Sequence, residues 1–313
     1  MDIELVDPEL RDLTRRLPSL NPGNPMVRTV MRVAIRLMRP PVTPTVRVRT
    51  VVAAGRRARV YEPAARRTSG ALLWIHGGGL LFGDAKQDER ICAETARDVG
   101  VTVVSVNYRV APEHPFPAAH DDVLAAWRWL LANAASLGVD PAQIIVGGES
   151  AGGGLAAALV HRIHDDGGIQ PVGQWLFAPM IDDSTAADRS LDDVDHWVWN
   201  NRLNRMGWSG YLPGTYGTAA VPEYAAAARR PDLSGLAPAY LAVGDIELFS
   251  AENVEYARRL ERAGVPTTLD VVAGAPHGFE NWAADTAPAR SLMGRARAWM
   301  TEIFRAAAAD SPR

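Results

Sequence analysis

Gln143-Ile-Ile-Val-Gly-Gly-Glu-Ser-Ala-Gly-Gly-Gly-Leu155 runs a short apolar strand straight into Gly148-x-Ser150-x-Gly152 and then into an alanine-rich helical segment. A serine at such a strand-to-helix turn is held in a strained backbone conformation, and the glycines two residues to either side leave room for the neighbouring strand and helix. The turn lifts the hydroxyl out of the sheet. Ala151 then opens the helix, where a backbone N–H without an intrahelical partner and the helix dipole both favour negative charge. A glycine-rich connection without chemistry has the same composition, so the surrounding sequence must decide between the two readings.

Outward from this turn the chain alternates strand and helix. Ala71 to Ile75, Val101 to Val106, Ile144 to Val146, Trp175 to Phe177, Ala239 to Val243 and Thr267 to Val272 read as strands, most of them continuous apolar runs of the kind buried on both faces. Helical segments at Asp88 to Val99, Ala118 to Ala135, Glu252 to Ala263 and near Pro288 to Ala307 separate them. The pattern predicts an α/β fold with a mostly parallel sheet and helices on both faces. Val46 to Thr50 and Arg59 to Glu62 alternate with period two and read as antiparallel edge strands. With 313 residues, 47% of them hydrophobic, the chain reads as one domain, 1–313, with cap segments at about 1–45 and 180–217.

The first cap segment is cut by prolines around one helix, with Val27, Val30, Met31, Ala34, Leu37 and Met38 at helical spacing beside a ridge of Arg28, Arg32 and Arg36. A lid packed on the body by its apolar stripe and a helix lying on a membrane surface both need this pattern; the lid is the expectation. The second segment holds Trp197, Trp199 and Trp208, more aromatic mass than a solvated loop needs.

A formal charge of −3 lacks the basic surface that nucleic-acid binding demands. The single cysteine, Cys92, excludes an internal disulfide and reads as a buried, inert thiol. An acidic first heptad and the lack of eighteen consecutive apolar residues predict a cytoplasmic protein without stable membrane insertion.

Three glycines at 77–79 follow the strand Ala71 to Ile75, so backbone N–H groups there can approach a ligand unshielded. Gly77, Gly78 and Ala151 are therefore the candidate oxyanion donors. His76 reads as an ordering residue of that loop. For a general base, the order nucleophile, acid, base leaves the histidines beyond Ser150. His161 and His164 lie along the helix after the serine and read as a solvated helix end. His196 lies in the cap. His277, in Gly274-Ala-Pro-His-Gly-Phe279, follows the last strand at the carboxyl edge of the sheet and is the expected base. Asp245 and Glu247 both follow Ala239 to Val243, and spacing alone does not separate them as the acid.

Gly148-Glu-Ser-Ala-Gly152, His76-Gly-Gly-Gly79, Asn107-Tyr-Arg-Val-Ala-Pro-Glu-His-Pro-Phe-Pro117 and His277-Gly-Phe279, in this order, resemble the bacterial hormone-sensitive-lipase family of α/β-hydrolase esterases over roughly residues 70 to 305. The resemblance implies that Glu247, standing five residues before Glu252 and nine before Tyr256-Ala257, is the acid, although Glu replaces the usual Asp and Leu248 stands where Pro is common. Glu149 also replaces an Asp before the serine. The resemblance further implies loop-bracing roles for Arg109 and Glu113, no cofactor or metal, and a short- to medium-chain ester as the small-molecule substrate. Candidate pocket walls are Phe82, Trp197, Trp199, Trp208 and Phe279. An amidase, lactonase or deacetylase would use the same three residues, and a non-catalytic ligand binder would keep the pocket; an intact His277 argues against the binder. The sequence leaves a homodimer open.

Overall fold

A computed structural model describes residues 1–18 and 21–310; residues 19 and 20 of the first cap segment and the last three residues of the chain lie outside that description. Among the described residues eight strands form one sheet in the order β1-β2-β4-β3-β5-β6-β7-β8. β1 (Val46–Ala53) and β2 (Arg56–Pro63) are an antiparallel hairpin at one edge, and β2 pairs antiparallel with β4 (Thr102–Val106). From β4 onward every pairing is parallel, through β3 (Ala71–Ile75), β5 (Ile144–Glu149), β6 (Gly173–Phe177), β7 (Ala239–Gly244) and β8 (Thr267–Val272). This is the mostly parallel sheet expected from the alternating pattern, in the α/β-hydrolase arrangement that the resemblance implied. The register sets Ile75, Gly148 and Leu176 side by side, so the carboxyl ends of β3, β5 and β6 open onto one crevice.

Side chains alternate between two cores. On one face Leu73, Ile75 and Val146 pack with α4 (Ala118–Leu137), α5 (Ala151–Asp166) and α8 (Ser250–Arg262). On the other, Trp74, Trp175 and Phe177 form an edge-on aromatic row, with centroids 5.5 and 4.7 Å apart, under α3 (Glu89–Thr95) and α10 (Ala287–Asp310). Cys92 on α3 is fully buried in this second core, and burial pushes its thiol well above the ordinary value.

The amino-terminal segment divides in two. In α1 (Pro8–Arg16), started by Asp7 and the Pro8 ring, Leu10 is fully buried, and Val6 before it is buried in the same core. The Asp7 N–H also donates to the Gly274 carbonyl at 2.9 Å. These first sixteen residues therefore belong to the body as much as to a cap.

α2 (Pro25–Leu37) is capped by Asn24, which accepts from the Met26 N–H at 2.9 Å. Its orientation differs from the expected one. Arg28 and Arg32 turn inward with Val27 and Met31, while Val30, Ala34, Leu37 and Met38 of the anticipated packing stripe face outward. The reason is non-local. Arg32 donates to the Leu81 carbonyl from Nε (2.9 Å) and Nη2 (2.7 Å), and from Nη2 also to the Ala111 carbonyl and the Glu113 carboxylate, both at 2.8 Å. Loop carbonyls that no sheet or helix uses thus find charged donors, and such charge-assisted bonds outweigh burial of one apolar stripe.

The second cap segment contains α6 (Asp183–Ala187) and α7 (Asn201–Tyr211). No helix among the described residues is long and apolar enough to cross a membrane.

Candidate active site

Ser150 follows β5 with φ 55° and ψ −122°, a region that residues other than glycine rarely occupy and that costs on the order of 1–3 kcal/mol. The surroundings over-determine it: its N–H donates to the Phe177 carbonyl at 2.8 Å, and its carbonyl accepts from Gly154 and Met180 at 3.0 and 2.9 Å. α5 begins at the next residue, so the Ala151 N–H belongs to the first turn, which has no intrahelical acceptors. Gly152 permits this packing: a β-carbon there would stand 2.0 Å from the Ile75 carbonyl oxygen, and any side chain would push α5 off β3.

The His277 loop leaves β8 and crosses to the serine. Nε2 of His277 lies 2.8 Å from Ser150 Oγ, and Nδ1 is hydrogen-bonded to Glu247 Oε2. All three side chains are buried, and the Phe249 ring stands edge-on to the imidazole at 5.3 Å. Trp282 Nε1 donates to the His277 carbonyl at 3.0 Å and fixes the loop from behind. Asp245 is exposed and accepts the Gly274 N–H at 2.7 Å, so it braces the loop's approach without reaching the ring. Of the two carboxylates that spacing left open, Glu247 faces His277. The row can carry a proton from a serine hydroxyl to an imidazole whose other nitrogen is held by a carboxylate.

Gly77 runs beside the serine, where a β-carbon would stand 3.4 Å from Ser150 Cβ, and at Gly78 a β-carbon would meet the Phe82 carbonyl. His76 is buried, stacks on Tyr108 at 4.3 Å and bonds the Gly77 carbonyl through Nδ1 at 2.8 Å, and burial lowers its pKa to about 4. A neutral ring of this kind orders the loop. Trp199 closes it from above: a β-carbon at Gly79 would fall 2.1 Å from the Trp199 ring.

The five candidate wall residues separate. Phe82, Trp197 and Trp199 line a cavity of about 380 Å³ together with Met31, His196 and Leu203. Trp208 and Phe279 do not line it. Trp208 sits on the inner side of α7 against Tyr211, ring centroids 6.0 Å apart, inside the first core. Phe279 begins a one-turn helix, α9 (Phe279–Trp282), whose axis carries the ring into the second core with Ala275 and Ala283. His161 is likewise buried rather than solvated: its Nε2 meets Tyr256 Oη at 2.8 Å, and burial drives its pKa down to about 3. Arg109 braces the loop after β4 by forking onto Asp122 at 2.8 and 2.9 Å, whereas Glu113 receives Arg32 from the cap.

One feature of the site has no counterpart in the sequence reading. Asp88, Glu149 and Glu280 are three buried carboxyls beneath the His277 loop. Asn281 Nδ2 donates to Asp88 Oδ1 at 2.9 Å and to Glu149 Oε2 at 3.1 Å, and Trp74 Nε1 donates to Asp88 Oδ2 at 2.7 Å. No salt bridge reaches any of the three among the described residues. Burial raises Asp88 to about 6 and Glu280 to about 7, and with the neighbouring carboxylates it raises Glu149 well above the ordinary range. The glutamate next to the serine was the only sequence signal for this cluster.

Comparison with known proteins fits this geometry. A family model described as the α/β-hydrolase fold matches residues 72–281. The chain belongs to the α/β-hydrolase esterases of the bacterial hormone-sensitive-lipase family. Among its relatives in Mycobacterium tuberculosis (strain ATCC 25618 / H37Rv), carboxylic ester hydrolase LipN is 36% identical over 231 residues, covering 72% of this chain and 61% of LipN. Esterase LipI from the same strain is 32% identical over 292 residues, 89% of each protein. The solved structure of a bacterial heroin esterase superimposes with a TM-score of 0.89 at 33% identity, covering 96% of this chain and 99% of that one. As a member of this family the chain is a carboxylic ester hydrolase.

Proposed function

We propose that this esterase is a serine carboxylesterase that cleaves short- to medium-chain acyl esters through an acyl-enzyme, with Ser150 as nucleophile, His277 as general base and acid, and Glu247 as the orienting carboxylate. The observation that carries the reading is the hydrogen-bonded row Ser150 Oγ, His277 Nε2, His277 Nδ1, Glu247 Oε2. His277 accepts the Ser150 proton as Oγ attacks the ester carbonyl, and the carbonyl electron pair moves onto oxygen. Backbone N–H groups of Gly77, Gly78 and Ala151 receive that oxyanion. Collapse expels the alcohol, protonated by the imidazolium, and leaves the acyl group on Oγ. Water, deprotonated by His277, attacks the acyl carbonyl and releases the acid and free Ser150. Glu247 holds the tautomer that exposes Nε2 to the serine and stabilises the imidazolium in both halves. The cavity of about 380 Å³ walled by Phe82, Trp197 and Trp199 is lined by none of Ser150, His277 and Glu247 and borders their site through Trp199, which covers Gly79; it gives room for a small acyl or alcohol group of the ester.

Pre-steady-state hydrolysis of p-nitrophenyl butyrate tests the reading. A stoichiometric burst of p-nitrophenol is expected, and Ser150→Ala is expected to lose both the burst and roughly a million-fold in turnover. Retention of a tenth of the wild-type rate by the purified variant excludes Ser150 as the nucleophile. Turnover of butyramides at rates comparable to butyrate esters would instead make the protein an amidase.

A further inference from the structure

The outward face of α2 is an exposed apolar surface on a protein that has ample core to bury it. Met26 is 76% exposed, Val30 62%, Leu37 73% and Val42, just beyond the helix, 89%, with Val33 and Met38 between them. Arg32 fixes this face outward by binding the body with the opposite side of the helix. Charge along this part of the sequence is one-sided. From Leu13 to Tyr61 the chain has eleven arginines and no aspartate or glutamate, in a protein whose totals are 33 Lys+Arg and 36 Asp+Glu. Arg15, Arg28, Arg32, Arg49, Arg56 and Arg59 each pair with an acid from outside that stretch, and the cations left for the outward face are those at the end of α2. Arg36 and Arg39 are exposed at the end of the helix that carries Leu37, and neither has an acid within ion-pair distance among the described residues. Lys86 Nζ joins them, donating to the Arg36 carbonyl at 2.7 Å.

We propose that α2 docks the protein on an anionic lipid surface, with Val30, Val33 and Leu37 entering the acyl boundary and Arg36, Arg39 and Lys86 reaching lipid phosphates. An apolar helix face flanked by unpaired cations is what an interface of hydrocarbon and anionic headgroups complements, whereas a second copy of this face would bring its own arginines against these. The opposite side of the same helix carries Met31 into the wall of the 380 Å³ cavity, so docking would set the cavity beside the lipid from which an apolar ester is drawn. That last step rests on the esterase reading; the docking does not.

Co-sedimentation of the full chain with vesicles of equal parts phosphatidylglycerol and phosphatidylcholine, against pure phosphatidylcholine, separates the two. Binding to the anionic vesicles at low salt, released at high salt, is expected. Arg36→Gln with Arg39→Gln should weaken partitioning roughly fivefold per arginine, and Val30→Glu with Leu37→Glu by more than tenfold. Unchanged hydrolysis of dissolved p-nitrophenyl acetate shows that each variant is folded. Absence of binding by the wild type, or binding that neither pair alters, overturns the proposal. So does a solution dimer that Val30→Glu with Leu37→Glu dissolves in a protein that ignores vesicles, because the occupant of the face is then a second copy.

Discussion

Glu280→Gln should make the protein more stable in mildly alkaline solution and leave it nearly unchanged in acid. Glu280 is 3% exposed, its Oε1 has no hydrogen-bond partner, and the charged groups nearest in effect are Asp88, Glu247 and the His277 ring. Burial holds its carboxyl at about 7 instead of the ordinary 4.5. Between those values the unfolded chain has released the proton and the native state keeps it, so the native state binds more protons and stability falls as pH rises. The loss begins above the unfolded value and is complete once pH exceeds the folded one, at about 3 kcal/mol. Glutamine keeps the shape of the protonated acid and cannot ionise. Urea unfolding at intervals from pH 5 to pH 9 should show variant and wild type close together at the acid end and separated by about 2–3 kcal/mol at the alkaline end, with the variant higher. Parallel curves across that range would refute the reasoning, because they would mean that Glu280 ionises natively as easily as it does unfolded.

Glu247→Gln should lower kcat by about four orders of magnitude, the effect of leaving an imidazole in the wrong tautomer, while Asp245→Asn should stay within about tenfold of wild type because it only braces the Gly274 N–H. The reverse ranking, read with p-nitrophenyl butyrate, would move the acid to Asp245. Trp199→Leu removes the ring that covers Gly79, and the ratio of octanoate to butyrate hydrolysis should rise roughly tenfold, as a pocket enlarged by a few methylenes allows. A constant ratio would take Trp199 out of the acyl path.

The sheet was readable because strands buried on both faces give continuous apolar runs, such as Ala71–Ile75 and the Ile144 to Val146 part of β5. The serine turn was readable because its glycines recur wherever a strand turns sharply into a helix packed on the neighbouring strand: Gly152 has no room for a β-carbon against the Ile75 carbonyl of β3. What remained illegible depends on distant partners. Composition places aromatic residues in the insertion but does not say that Trp208 faces Tyr211 while Trp199 faces Gly79. The turn of α2 hinges on carbonyls at Leu81 and Ala111, about which periodicity within the helix holds no information. Asp88, Glu149 and Glu280 look like ordinary solvated acids until the packing of α3 against the His277 loop buries them together.

The solitary thiol of Cys92 makes the protein its own clock. With no disulfide to scramble and no second sulfhydryl to compete, any reagent consumed by the native protein must wait for α3 to leave the aromatic row beneath it. The rate of that consumption, limited by opening rather than by thiol chemistry at high reagent, counts how often the second core breathes. Asp88, at the amino end of the same helix, is tied through Asn281 to the histidine loop, so one slow modification reports on the layer that holds the reacting groups in line.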